Sequence, residues 1–170
     1  PWLGENAVLR AVDLYRRIER LPFASESAPL FERPSINLGR IHGGDAVNKV
    51  PDACRMDIDI RYLPGQRPEE VLRQVREADP GARIETLLER PPADVPPDHP
   101  MVQALLRAAG AEEPSAASVG RDGASDAVAF LEVGVPAVEY GPHGGGHHGP
   151  EDYVEVESLP PYRRALTDFA

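Results

Sequence analysis

Cys54-Arg55-Met56-Asp57-Ile58-Asp59-Ile60-Arg61-Tyr62-Leu63 places apolar Met56, Ile58, Ile60 and Tyr62 between charged Arg55, Asp57, Asp59 and Arg61. Period-two alternation of this kind marks a strand with one buried and one polar face. Pro64-Gly65 ends it, and Pro68 opens a helix that runs through Glu69-Glu70 to about Ala78. Arg83 to Arg90 reads as a further strand before Pro91-Pro92. Working back, Ser35 to Ile41 reads as a strand closed by His42-Gly43-Gly44-Asp45. Before it, Asn6 to Arg20 carries Val8, Leu9, Val12, Leu14, Tyr15 and Ile18 at helical spacing, with Asn6 as cap and Leu21-Pro22 as stop. Helix, strand, strand, helix, strand is most of a two-layer α+β unit of the split βαβ, ferredoxin-like kind.

From Pro91 to Pro100 the chain holds five prolines and reads as a domain crossing. Two domains are therefore expected, 1–92 and 93–170. In the second, helices are expected from Pro100 to about Ala109 and from Asp126 to Val133. Short strands are expected over Ala116–Gly120 and Pro136–Tyr140, and Ser158 is placed to cap a last helix to Phe169. This alternation argues for part of a parallel α/β sheet, in which ligands sit beyond the carboxyl ends of the strands. The loops Gly120–Asp126 and Gly141–Asp152 fall there.

Composition narrows the function. An apolar share of 41% with 27% charged residues describes a globular chain. A net charge of −10 disfavours nucleic acid and anionic membrane surfaces as partners. Cys54 is the single cysteine, so no internal disulfide framework exists, in keeping with a cytoplasmic protein. No apolar run reaches membrane-spanning length.

Gly141-Pro-His-Gly-Gly-Gly-His-His-Gly-Pro-Glu-Asp-Tyr-Val154 holds five glycines and two prolines, which argues against regular structure. It also holds His143, His147 and His148, three of the chain's five histidines, followed by Glu151 and Asp152. Imidazole is the commonest metal-ligating side chain, and a nearby carboxylate can orient it; a solvated turn is the plain alternative. Gly123-Ala124-Ser125-Asp126 offers backbone amides and a hydroxyl to an oxyanion, or else Ser125 or Asp126 simply caps a helix. Asn48 and Arg61, on adjoining antiparallel strands, have the chemistry to hold a carboxylate between an amide and a guanidinium fork. The alternative is a turn asparagine and a solvated arginine. Cys54 reads as a small buried residue rather than a reactive thiol.

Ile41-His42-Gly43-Gly44-Asp45-Ala46-Val47-Asn48-Lys49-Val50-Pro51 with Asp57-Ile58-Asp59-Ile60-Arg61 resembles the lid signature of the co-catalytic zinc aminoacylase and peptidase family. Acetylornithine deacetylase, succinyl-diaminopimelate desuccinylase and carboxypeptidase G-type enzymes are members. Gly123–Ala127, Gly134-Val135-Pro136-Ala137-Val138 and His148-Gly149-Pro150-Glu151-Asp152-Tyr153-Val154 resemble the end of its catalytic domain, in the same order. Pro1–Ala7 is similar to the segment that opens the first lid helix.

The resemblance implies a lid and dimerisation domain over 1–92, then the C-terminal part of a three-layer α/β zinc-hydrolase domain over 93–170. It implies that His148 is a zinc ligand, that Asn48 and Arg61 bind the substrate carboxylate, and that Gly123 and Ser125 line a substrate loop. The family places Glu where this chain has Asp152. Two zinc ions, with cobalt or manganese as substitutes, would serve the intact enzyme, a homodimer acting on N-acyl amino acids or short peptides. The general base and remaining ligands are expected upstream of Pro1, so no catalytic residue is assigned within the chain and the chain alone is expected to be inactive. The alternative is a non-catalytic dimerisation or substrate-docking module.

Overall fold

The computed structural model describes residues 2–121 and 123–170. Pro1 and Asp122, which fall in two motifs quoted above, lie outside the described residues. Two units divide the chain: one reaches to Pro92 and takes in Gly120 and Arg121, the other comprises Ala93–Val119 and Gly123–Ala170.

In the first unit, α1 (Ala7–Ile18) is capped by Asn6, whose carboxamide oxygen accepts from the amides of Val8 and Leu9 at 3.0 and 3.2 Å. A short 3-10 turn, Pro22–Ser25, follows. β1 (Ser35–Gly43) and β2 (Cys54–Arg61) then pair antiparallel. The register slips between Leu38 and Arg40, so that Gly39 forms a bulge. The slip lets Ile41 pair with Met56 while Ile36 still pairs with Ile60, which keeps both apolar pairs on one face. α2 (Pro68–Ala78) begins on a proline whose missing N–H costs nothing at that position. Leu14 and Ile18 of α1, Phe23, and Val71 and Val75 of α2 form the buried cluster, with Ile36, Met56, Ile58, Ile60 and Ile84 packed against it. Both helices thus present their apolar stripes to the core shared with the ribbon.

Asp79 is the only buried charged residue among those described. Its carboxylate takes Nε and Nη2 of Arg10 at 3.0 and 2.8 Å, Arg17 at 3.5 Å and the Gly81 amide at 3.0 Å. The Arg10 fork holds the Asp79 carboxyl below its ordinary value and fastens the end of α2 to α1.

The second unit contains α3 (Pro100–Glu112), α4 (Ala127–Leu131) and α5 (Leu159–Phe169). α3 packs on α5, where small buried residues, Ala108, Ala109 and Ala165, permit close approach. Arg164 ties the pair by Nε to Glu112 at 2.8 Å, and the rings of Tyr140 and Tyr162 lie 5.2 Å apart. Between α4 and α5, β3 (Gly144–Gly145) and β4 (Tyr153–Val154) make a two-residue antiparallel ribbon.

Four expectations need correction. Arg83–Arg90, Ala116–Gly120 and Pro136–Tyr140 carry no ladder, because alternation or apolar content confers the capacity to be a strand and a neighbour makes it one. Buried parallel strands need cover on both faces, yet Val119 is 68% and Val138 40% exposed. The Gly/His stretch is not wholly irregular, since β3 lies within it. Lastly, the Ser158 side chain makes no cap bond to α5. A serine cap accepts from the second or third helical amide, and those residues are Pro160 and Pro161, which have none.

Candidate functional site

Asn48 and Arg61 belong to the first unit, whereas Gly123, Ser125 and His148 belong to the second. Asn48 lies in the turn between Gly43 and Cys54, while Arg61 pairs with Ser35 at the opposite end of the ribbon. The eight residues of β2, at about 3.3 Å each, set these two ends roughly 23 Å apart. One copy therefore does not bring Asn48 and Arg61 around the same carboxylate. Arg61 instead points its Nε at Asp59, 2.8 Å away on the same strand. Asn48 is exposed, followed by Lys49, which pairs with Asp45 at 2.7 Å.

Ser125 accepts from the Ala127 amide at 3.1 Å, so its oxygen marks the start of α4. Asp126 occupies the cap position without a side-chain bond. A Cβ added to Gly123 would meet nothing within 4 Å, so the turn is open on that side.

The Gly/His loop is the most constrained of the candidate segments. At its base, the His143 amide donates to Oγ of Ser158 at 3.0 Å, and its carbonyl accepts from the Glu155 amide at 2.9 Å. The ribbon pairs Gly144 with Val154 and Gly145 with Tyr153. A side chain at Gly144 would run into the Tyr153 carbonyl, and one at Gly145 into the Tyr153 ring. At the tip, the Gly149 amide donates to the Gly146 carbonyl at 2.8 Å across His147 and His148. His148 adopts φ 63°, a left-handed conformation that a residue with a Cβ takes at a cost. His147 Nδ1 stands 4.0 Å from the Asp152 carboxylate. The loop thus holds His148 in one strained, exposed position.

Whether a metal fits is decided by the donors. Among the described residues no group of three or more His, Cys, Asp and Glu side chains converges, so the described donors do not by themselves make up a metal-ligand set. An open cavity of about 800 Å³ in the first unit is lined in part by Asn6, Arg10, Arg17, Val50 and Asp79 and contains none of Asn48, Arg61, Gly123, Ser125 and His148. Sequence reading missed the bonds that Ser158 makes to His143 and Glu155. The signal was present in Ser158-Leu159-Pro160-Pro161, a cap residue with no amide to cap.

Comparison with known proteins supplies a lineage. Residues 1–78 match the M20 peptidase dimerisation domain. Along 98% of its length the chain is 30% identical to acetylornithine deacetylase of Klebsiella pneumoniae (strain 342), of which the match covers 46%. The same enzyme of Salmonella arizonae matches at 30%, again over 98% of the chain and 46% of the relative. The chain spans about half the length of the curated relatives it matches. Among solved structures, a tripeptidase of Staphylococcus aureus superposes with a TM-score of 0.75 at 22% identity, over 99% of this chain and 46% of that one. An M20 family metallo-carboxypeptidase of Sulfolobus solfataricus gives a TM-score of 0.57 at 19% identity over 82% and 35%. At such identities the superpositions bear on the fold alone.

Proposed function

We propose a function for this chain from the premise that it belongs to the M20 family, whose peptidase dimerisation domain residues 1–78 match, and is homologous to acetylornithine deacetylase. In this reading the chain is part of a metal-dependent hydrolase of amide bonds in N-acyl amino acids or short peptides. Residues 1–92 serve as its lid and dimerisation domain and residues 93–170 as the end of its catalytic domain. Such an enzyme works in the cytoplasm as a homodimer. The observation that carries the reading is the length of the likeness to acetylornithine deacetylase. It runs over 98% of the chain and so extends past the dimerisation domain through the Gly/His loop.

Each site residue then has a task. His148 supplies one imidazole to a zinc centre whose other ligands and general base come from a longer protein. A metal in such a centre polarises the scissile carbonyl and lowers the pKa of bound water. The described donors of this chain do not by themselves complete such a centre. Gly123 and Ser125 line the substrate loop, the serine offering a hydroxyl to the substrate. Asn48 and Arg61 bind polar groups of the substrate at separate points, the Arg61 fork suiting a carboxylate. Apolar residues left exposed at Val119, Val133, Val135 and Val138 support the view that further structure covers this half of the chain.

A second reading, a non-catalytic dimerisation module, draws on the confinement of the family match to residues 1–78. The two part on one experiment. The longer protein is assayed against a panel of N-acyl amino acids and dipeptides, with and without a chelator. Hydrolysis lost to the chelator and regained with zinc is expected. Absence of turnover on every substrate, from a folded and metal-loaded protein, would overturn the hydrolase reading in favour of the module.

A further inference from the structure

Ser158 stands at the start of α5 with a hydroxyl its own helix does not use. The two prolines that follow remove the amides a cap would serve, and the hydroxyl is directed at the Gly/His loop. It accepts from the His143 amide at 3.0 Å and donates to the Glu155 carbonyl at 2.6 Å. Since the Glu155 amide also donates to the His143 carbonyl, both backbone groups of His143 end on the 155–158 turn. The loop that leaves His143 returns through the β3–β4 ribbon to the same turn. Between these fixed ends it places His148 at φ 63°. A left-handed histidine persists only where its surroundings over-determine it, and the Ser158 bonds are the ones that anchor the loop to a helix.

We infer that Ser158 is a positioning residue: its hydroxyl closes the base of the Gly/His loop and thereby sets the orientation of His148. The inference rests on the reading of His148 as a site residue. It goes beyond that reading by assigning a role to a side chain that touches neither substrate nor metal. The sequence Ser-Leu-Pro-Pro follows as a device, the prolines keeping the hydroxyl free for the loop while presetting the backbone of the helix they open.

The test uses Ser158→Ala and Ser158→Thr, in this chain and in the longer enzyme. Amide exchange at His143 and Gly149 and the imidazole resonance of His148 are followed by NMR, with thermal unfolding as the control for global stability. The expected result in Ser158→Ala is exchange at His143 faster by about tenfold, the upper end for one lost hydrogen bond. The His148 resonance should move and the unfolding midpoint change little. In the longer enzyme kcat should fall more than KM changes. Ser158→Thr, which keeps the hydroxyl, should restore the exchange rate, the resonance and kcat. Wild-type exchange and resonance in Ser158→Ala, or faster exchange with full kcat, would overturn the inference. So would failure of a folded threonine variant to restore the alanine losses. The NMR readings need no substrate, so they are independent of the hydrolase reading, which fails separately if His148→Ala retains full activity.

Discussion

Replacing His148 by glycine separates the conformation of this residue from its chemistry. With φ at 63° its Cβ crowds the following carbonyl, at a cost of roughly 1–2 kcal/mol relative to glycine. Glycine relieves that cost but loses about 0.5–1 kcal/mol to its greater freedom in the unfolded chain. His148 is exposed, so truncation forfeits little packing. The balance is a gain of about 0.5–1 kcal/mol, or roughly two- to fivefold in a local opening equilibrium. His148→Ala keeps the Cβ and therefore the strain, so it should show no gain. The reporter is the Gly149 amide, whose bond to the Gly146 carbonyl at 2.8 Å closes the turn around His148. Hydrogen exchange at Gly149 should slow in His148→Gly and stay near the wild-type rate in His148→Ala. Equal or faster exchange in the glycine variant would refute the claim that this loop holds a strained histidine. If the claim stands, a residue kept against its own backbone preference is one whose imidazole is needed there.

Phe23→Ala, at one of the two largest fully buried side chains, should destabilise the first unit by about 3–5 kcal/mol, read by denaturant unfolding. A loss under about 1 kcal/mol would show that Phe23 is peripheral to the core. Glu70 is held at a pKa of about 2, chiefly by its bond from Arg73. Its folded value lies below its unfolded one, so its contribution is present above about pH 4.5 and lost as pH falls towards 2. Glu70→Gln should flatten the stability profile in that window and nowhere above it, as acid titration of unfolding would record. Arg61→Lys in the longer enzyme keeps the charge but not the fork, and should lower kcat/KM on substrates with a free carboxylate by about tenfold or more. An unchanged constant would remove Arg61 from the site.

What was legible in the sequence follows from how local each signal is. α1, β1, β2 and α2 were readable because caps, prolines and apolar periods sit within the elements themselves, as with Asn6, Pro68 and the Met56–Ile60 alternation. Pairing was not readable for Arg83–Arg90 or Pro136–Tyr140, since a ladder depends on a second segment that local sequence does not specify. Register had the same difficulty. The bulge at Gly39 and the pairing of Arg61 with Ser35 put Arg61 at the far end of the ribbon from Asn48, although both lie near one hairpin in sequence. The Gly/His loop was recognisable by composition, whereas the conformation of His148 arises from the ribbon and from Ser158, fifteen residues from its partner His143.

The central claim, that His148 helps to hold a catalytic metal in an amide hydrolase, is tested most directly by metal content. The longer enzyme and its His148→Ala variant would be purified in parallel, their bound zinc measured by mass spectrometry and their hydrolysis of an N-acyl amino acid compared. The account predicts that the variant loses zinc relative to the parent and loses turnover with it. Equal zinc content together with undiminished hydrolysis in the variant would contradict it.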